Sequence, residues 1–240
     1  MKHKTKLLVL VLTLIFLTLS FSSCTEKYDP IPYKNFTNYF ETPYFECIIL
    51  GDYVHVLGLT KYGMQLEEVV IPTWGPSDKS SVIGYYPGRI LEYNFNKGNA
   101  LKYFISDRTQ FSEISNLINA NVMLFSAFPD ASKVRQYLAL SGNVYVPEIA
   151  FNEYLTYFPS MQHPANVSFL YNYGSAPNKG YYWIDNLDDG QTIKTMPPSP
   201  LRTGYVFAGW YSDSTLKTKW DATAPKTYDT LNIYAKWIKL

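Results

Sequence analysis

Short segments rich in aliphatic and aromatic residues recur along residues 44–158, and each is punctuated by Pro, Gly or Asn. In one of them, Val69 and Ile71 can face the same side of a short strand that Pro72 ends. Leu66 can fill the same interior from the preceding turn. The pattern predicts a series of short strands separated by turns, and further segments of this kind lie at residues 99–105, 121–125 and 142–147.

One segment of this region follows a different period. Residues 107–119 place apolar side chains three and four positions apart, the spacing of a helix with one apolar face. The sequence therefore predicts one amphipathic helix packed against the strands. The apolar positions are Phe111, Ile114, Leu117 and Ile118.

The C-terminal third shows the clearest strand pattern. Residues 181–184 and 191–193 flank the acidic segment 185–190, which predicts a solvated hairpin turn between two strands. Three prolines at positions 197–200 exclude a regular ladder and predict a crossing loop. Alternation of aromatic and aliphatic residues predicts three more strands, at residues 167–171, 204–211 and 231–237.

The N-terminus has the pattern of an export signal over residues 1–23. Three lysines precede the apolar segment 7–19, which is shorter than the roughly 20 residues that a membrane-spanning helix needs. Small residues then lead into Cys24. This junction resembles the lipobox of bacterial lipoproteins, although Phe21 stands where that family prefers Leu. The resemblance implies that Cys24 carries the lipid that anchors the protein to a membrane. An ordinary signal peptide cleaved near Cys24 and a retained membrane anchor are the alternatives.

Residues 24–43 are polar and interrupted by proline, and they are predicted to be a lipidated tether. Thr25 follows the cysteine, instead of the aspartate associated with inner-membrane retention in enteric lipoproteins. We therefore expect a cell-envelope position at the outer membrane or cell surface.

Residues 44–160 resemble the BspA-like leucine-rich repeats of bacterial surface proteins. The resemblance rests on the Leu66-x-x-Val69-x-Ile71-Pro motif and on the segment 144–147, which leads into Ala150 and Tyr154. It implies a short, irregular solenoid in which each coil needs a stacked neighbour to bury its apolar face. The 22 residues from Val122 to Val144 fit the usual repeat length of about 20–29. An irregular β-rich domain with coincidental spacing is the alternative.

Residues 166–240 resemble the Listeria–Bacteroides repeat, also called the internalin B-repeat. The resemblance rests on residues 202–211, 219–221 and 231–237, which occur in the order of that family. It implies a small β-grasp-like module with a sheet of about four strands and an aromatic core supplied by Phe207, Trp210, Trp220 and Trp237. The expected fold class is therefore β-rich α+β, with a short leucine-rich-repeat-like solenoid followed by this module.

Composition and charge exclude several classes of function. The 240-residue chain has 21 basic and 20 acidic residues. Removal of residues 1–23 leaves 18 basic and 20 acidic residues, so the formal net charge is 18 − 20 = −2. We therefore expect no nucleic-acid partner. If Cys24 carries lipid, Cys47 is the remaining thiol, which excludes an intramolecular disulfide. Its apolar neighbours predict a small buried side chain rather than a nucleophile.

Motifs that carry chemistry are scarce. The chain has no catalytic elbow, phosphate loop or zinc-protease motif. The acidic segment 185–190 does not fit a calcium loop, because Leu187 and Met196 occupy ligand positions. Glu67 and Glu68 are adjacent, so on a strand they point to opposite faces and cannot flank one substrate atom. We expect no enzymatic activity, no cofactor and no metal site.

Tyrosine is abundant, with 22 residues, and offers a rigid apolar ring with a hydroxyl group suited to protein and glycan interfaces. In each of two tyrosine pairs one ring is expected to face outward, although ordinary sheet surface is the alternative. The candidate binding surface comprises Tyr85, Tyr86, Tyr181 and Tyr182.

The sequence thus predicts a lipid-anchored cell-surface protein with a non-catalytic binding or adhesion role toward host, matrix or cell-surface protein or glycan. Contact is expected along the exposed strands of the solenoid, with the C-terminal module as a second contact or spacer. The alternatives are a structural spacer or assembly component of an envelope complex, and a glycan-active enzyme.

Overall fold

The computed structural model describes residues 37–50, 53–71, 100–106, 120–129, 143–157 and 162–240. These residues form three sheets and one short α-helix, so the protein is β-rich. Within these ranges, no helix combines the length and apolar character needed to cross a membrane. The predicted signal and Cys24, the tyrosines at 85 and 86, and the predicted helix at 107–119 lie outside the described residues.

The first sheet is antiparallel, with strands β1 (Tyr39–Glu41), β2 (Phe45–Leu50) and β3 (Tyr53–Leu59) in chain order. β1 lies within the segment predicted as tether. Phe45, Cys47 and Leu59 are buried in the core that this sheet shares with the strands that follow. Cys47 is fully buried with a free thiol, as its apolar neighbours predict, and burial raises the pKa of that thiol to about 12.

Glu46 in β2 is 1% exposed, and burial raises its pKa to about 7. The folded state therefore holds this proton more tightly than the unfolded chain does. The resulting stability is complete below about pH 4 and is lost as the pH rises through 7. Between pH 5 and 8, Glu46 is expected to lower the unfolding free energy of the wild type by roughly 1–3 kcal/mol. We expect this decrease to be absent in Glu46→Gln.

Urea denaturation at pH 5, 6.5 and 8 measures this difference. The matched control is Glu148→Gln, since Glu148 is exposed. An unchanged pH slope in Glu46→Gln would contradict the assignment.

A 3-10 helix at Gly63–Gln65 links this sheet to the next one. The hydroxyl of Thr60 accepts a hydrogen bond from the Gly63 amide at 3.1 Å and donates one to the Pro43 carbonyl at 2.7 Å. The chain passes so close to β2 here that a Cβ on Gly63 would lie 2.1 Å from the carbonyl oxygen of Tyr44.

Gly63→Ala is therefore expected to lower the unfolding free energy by about 1–3 kcal/mol, because the backbone has to move to admit the methyl group. Gly174→Ala is the control, since a Cβ there meets nothing within 4 Å. Thermal denaturation of both variants measures the difference, and equal melting temperatures would refute the close approach.

The second sheet is parallel and has its strands in chain order. The strands are β4 (Glu68–Val70), β5 (Lys102–Ile105), β6 (Asn121–Leu124), β7 (Val144–Val146) and β8 (Gln162–Pro164). Equivalent residues pair from strand to strand, from Val69 to Tyr103, Val122 and Val144. The predicted strand positions are confirmed, including the shared interior of Val69 and Ile71.

Alternate residues of the parallel sheet enter two different cores. The first core takes Tyr103, Ile105 and Val122 together with the antiparallel sheet. It also contains Tyr154 from the short helix α1 (Phe151–Tyr157). The Tyr154 hydroxyl donates to the Ser126 carbonyl at 3.1 Å. The second core takes the intervening residues of the strands, which are Val70, Phe104, Met123 and Tyr145.

The third sheet comprises β9 (Val167–Leu170), β10 (Tyr181–Asp185), β11 (Tyr205–Tyr211) and β12 (Leu231–Lys239). Its order is β10-β9-β12-β11, with β9 and β12 parallel at the centre and both outer pairs antiparallel. The sheet of about four strands that the resemblance implies is confirmed, whereas the strand predicted at residues 191–193 is absent. Gly209 has φ +110° where the β11 register shifts, which places it in a bulge.

The third sheet packs against the parallel sheet. Trp183 of β10 lies with its ring centre 4.7 Å from that of Phe104 and 4.6 Å from that of Phe125. Phe104 and Met123 are thereby fully buried. The C-terminal region therefore covers the face of the parallel sheet that carries Phe104 and Met123. The aromatic core expected for the C-terminal module is present, with Trp210 buried and Phe207, Trp220 and Trp237 packed beside it.

Candidate functional site

A cavity of about 470 Å³ lies where the beginning of the parallel strands meets the loop after β10. We call it the sheet–loop cleft. The loop side consists of residues 186–188, 190–192 and 194. The strand side consists of Glu67, Glu68, Leu101, Lys102, Asn121 and Tyr145. The cleft exists because polar side chains occupy the first position of β4, β5 and β6. These positions pair in register, just before the apolar residues that the third sheet covers.

Lys102 connects the two sides of the cleft. Its Nζ lies 2.6 Å from Asp185 Oδ1 and 3.6 Å from Glu68 Oε1, and it donates to the Asn186 carbonyl at 3.3 Å. The Lys102 side chain is 11% exposed and that of Asp185 is fully buried. Burial raises the pKa of Asp185, while the charge of Lys102 opposes that rise. The ion pair therefore fastens β10 to β5.

The acidic segment 185–190 is not the solvated hairpin turn predicted from sequence. Asp185 is buried, and its Oδ2 has no hydrogen-bond partner among the described residues. Residues 191–193 form no strand, so there is no hairpin. Alternating polarity cannot reveal this arrangement, because the partner of Asp185 lies 83 residues earlier in the chain.

Glu67 and Glu68 fasten the far end of the loop. Lys194 Nζ lies 3.2 Å from Glu67 Oε2, and the Thr195 hydroxyl donates to Glu68 Oε2. Both carboxylates line the cleft, so the expectation that they serve opposite faces is wrong. The reason is that β4 begins at Glu68, and strand alternation does not govern the residue that precedes it.

Hydrogen bonds hold the loop in one conformation. The side chain of Asn166 donates to the Leu187 carbonyl at 2.8 Å and accepts from the Leu187 amide at 3.0 Å. Lys226, which is 4% exposed, lies 2.6 Å from Asp189 Oδ1. Its backbone also pairs with the loop at Gly190 and Gln191. The cleft is therefore preformed on both sides.

Tyr145 is the aromatic residue of the cleft. It is half-buried, and its ring centre lies 5.5 Å from that of His163. Burial raises the pKa of the Tyr145 phenol, and the negative charge of Asp188 raises it further. The phenol is therefore a protonated hydrogen-bond donor at neutral pH. His163 is exposed, and no group of three or more His, Cys, Asp or Glu side chains in the described ranges is arranged to hold a metal ion.

The candidate tyrosines that the structure describes do not line the cleft. Tyr181 and Tyr182 are both half-buried and pack against the second core. The Tyr182 hydroxyl donates to the Pro198 carbonyl at 2.8 Å, and its ring stacks on Trp210 at 5.9 Å. The register shifts between Tyr181 and Trp183, which breaks the alternation that was expected to turn one ring outward.

Sequence reasoning missed the residues that do line the cleft. The available signal was the recurrence of a polar residue two positions before a core residue. It occurs as Glu68 before Val70, Lys102 before Phe104 and Asn121 before Met123.

Comparisons with known proteins found similarity over parts of the chain. A stretch of 46 residues is 39% identical to a "Putative Gly-rich membrane protein" of Evansella cellulosilytica and covers 19% of this chain and 5% of that relative. This chain therefore spans a small part of that protein's length. No solved structure matches. Residues 166–236, which include β9, β10, β11 and most of β12, match the Listeria-Bacteroides repeat domain family. This match confirms the resemblance inferred from residues 202–237 and indicates a cell-surface protein.

Proposed function

We propose that the protein is a lipid-anchored, non-catalytic binding protein of the bacterial cell surface. Its partner is a host, matrix or cell-surface protein or a glycan. The observation that carries the proposal is the preformed sheet–loop cleft, one side of which belongs to the domain that matches a surface-protein repeat. The similarity to a protein described as a membrane protein and the lipobox-like junction at Cys24 support a place in the cell envelope.

The parallel sheet is proposed to be the strand stack of a short leucine-rich-repeat solenoid. Five parallel strands follow one another in chain order with equivalent residues paired. Successive paired positions from Val69 through Tyr103, Val122 and Val144 to Gln162 are separated by 34, 19, 22 and 18 residues, so the repeat length is irregular. One coil cannot bury its own apolar face, and stacking of this kind buries it against the next.

The charges in the cleft support binding rather than catalysis. A general acid or base has to reach the proton of a substrate. Lys102 is engaged by Asp185 and Glu68, and Lys194 is engaged by Glu67. These groups fasten the loop to the sheet, so their geometry serves the architecture of the cleft.

The anchor is tested by metabolic labelling with palmitate in the native host. We expect label on the wild-type protein and on Cys47→Ala, and no label on Cys24→Ala. The Cys47 variant is the matched control, because it removes a thiol that is buried in the folded protein. An unlabelled wild-type protein would contradict the lipid anchor.

The binding role is tested with whole cells that produce the full-length protein and with a deletion strain. Cells are applied to immobilised matrix proteins and glycans, and we expect adhesion that the deletion abolishes. The alternative, a spacer or assembly part of an envelope complex, predicts unchanged adhesion together with loss of envelope integrity. That result would overturn the binding proposal.

A further inference from the structure

We propose that the sheet–loop cleft binds a neutral, hydroxyl-rich saccharide. The proposal rests on the surface-binding role above and deepens it by naming the site and the class of ligand. With a volume of about 470 Å³, the cleft lies within the range of about 300–1,000 Å³ that small-molecule sites occupy.

The charge balance of the cleft disfavours anionic ligands. Its lining carries the carboxylates of Glu67, Glu68 and Asp188 and the ammonium groups of Lys102 and Lys194, so the formal sum is 2 − 3 = −1. Both ammonium groups already lie within 3.6 Å of carboxylates. A phosphate, sulfate or sialic acid would have to displace these carboxylates and would face their net repulsion.

Cationic ligands gain little binding affinity from the carboxylates of the cleft, because these are already paired or exposed. The carboxylates of Glu67 and Glu68 are held by Lys194, Lys102 and the Thr195 hydroxyl. Asp188 is exposed at the edge of the loop, where a charge pair is screened and contributes about 0–1 kcal/mol. Charge is therefore a minor source of affinity in this cleft, and hydrogen bonding is left as the main polar interaction.

The neutral polar groups of the lining match the hydroxyl groups of a sugar. Asn121 and Asn186 carry amides that both donate and accept, and the hydroxyls of Thr192 and Tyr145 do the same. Gln191 adds the N–H groups of its side-chain amide, while its Oε1 accepts from the Asp188 amide at 2.9 Å. Each hydroxyl of a saccharide also donates one hydrogen bond and accepts others. Groups of this dual kind on both sides of the cleft can satisfy several sugar hydroxyls at once.

The cleft also offers apolar side-chain surface on its strand side. Tyr145 contributes a half-buried aromatic ring with its hydroxyl protonated, and Leu101 contributes an aliphatic side chain that is 63% exposed. One face of a pyranose consists of C–H groups that pack against such surfaces. An aromatic ring with a polar tip therefore suits both the apolar face and the hydroxyl rim of one sugar.

Preorganisation favours binding of such a weakly interacting ligand. The loop is fixed by Asn166 and Lys226 and by the Lys102–Asp185 ion pair. Little conformational entropy is then lost when a saccharide enters, so modest hydrogen bonds give measurable affinity.

The test uses full-length protein in a detergent without a sugar headgroup. Saturation-transfer difference NMR is recorded with maltotriose, cellotriose, chitotriose and lactose, and with 3′-sialyllactose and a heparin tetrasaccharide as anionic probes. The variant Thr192→Trp fills the cleft from an exposed loop position, and Ser199→Trp places the same ring on an exposed position outside it. Circular dichroism checks that both variants are folded.

We expect at least one neutral probe to bind and the anionic probes to give weaker signals. Titration calorimetry should show at least a tenfold loss of affinity in Thr192→Trp and less than a twofold change in Ser199→Trp. Equal binding of Thr192→Trp and wild type, a preference for the anionic probes, or no binding of any neutral probe at millimolar concentration would each overturn the inference. Adhesion of whole cells to immobilised proteins, with no saccharide bound, would retain the surface-binding role while removing the saccharide site.

Discussion

Replacing Lys102 with methionine is expected to lower the unfolding free energy by about 3–5 kcal/mol, because Asp185 then keeps a buried charge without its cation. Lys102 is 11% exposed and Asp185 is fully buried, with 2.6 Å between Nζ and Oδ1. Urea denaturation at pH 7 measures the loss. Lys194→Met is the matched control in the same cleft. Its partner Glu67 is 64% exposed, so the expected loss is at most about 1 kcal/mol.

A second variant and the pH dependence identify the cause. Lys102→Met combined with Asp185→Asn should recover much of the loss, since it removes the unpaired charge. Burial raises the pKa of Asp185, so its stabilising protonation is complete at low pH and is lost as the pH rises. The deficit of Lys102→Met should therefore shrink on acidification. A deficit equal to that of Lys194→Met at every pH would show that this ion pair does not join the two sheets.

Phe104→Ala is expected to cost about 3–5 kcal/mol, the range for truncating a fully buried aromatic residue. Phe104 is 0% exposed and lies between the parallel sheet and the ring of Trp183. Phe128→Ala is the matched control, because Phe128 is 57% exposed and its ring contacts the Lys179 ammonium group. The unfolding free energy of Phe128→Ala should be lower than that of the wild type by about 1 kcal/mol or less.

Both phenylalanine variants are measured by urea denaturation followed through tryptophan fluorescence and far-ultraviolet circular dichroism. The two signals should coincide in the wild type, since the parallel sheet and the C-terminal region share one core. Separate transitions, or equal losses in Phe104→Ala and Phe128→Ala, are incompatible with that shared core.

Local sequence patterns predicted much of the fold. Val69 and Ile71 alternate toward one interior, and the structure places both in the first core. The strands around residues 167–171, 204–211 and 231–237 lie within one or two residues of their predicted ends. Such patterns succeed because strand alternation and turn residues report on nearest neighbours along the chain.

The packing between the two regions could not be predicted in this way. Val70, Phe104 and Met123 occupy the face of the parallel sheet that a solenoid would expose, and their apolar character does not specify what covers them. Asp185 and Asn186, to which Lys102 donates, lie more than 80 residues later in the chain. Contacts of that kind follow from the tertiary arrangement, which neither periodicity nor motif spacing encodes.

The candidate site depended on the same long-range packing. Tyrosine abundance predicted a binding surface at Tyr181 and Tyr182, yet neither residue lines the cleft. The sequence did not predict a binding role for Tyr145, because a lone tyrosine in a short strand has the pattern of ordinary sheet surface. Only the meeting of its strand with the loop after β10 makes it part of a cleft.

The central claim is that the Listeria–Bacteroides repeat domain packs on the parallel sheet and so completes the sheet–loop cleft. Nuclear Overhauser effects between the Trp183 indole and the Phe104 and Phe125 rings test it most directly, in full-length protein labelled at these residue types. We predict strong cross-peaks from Trp183 to both rings, whose centres lie 4.7 and 4.6 Å away. Absence of both cross-peaks, with the Trp183 signal broadened by a soluble paramagnetic agent, would contradict the account.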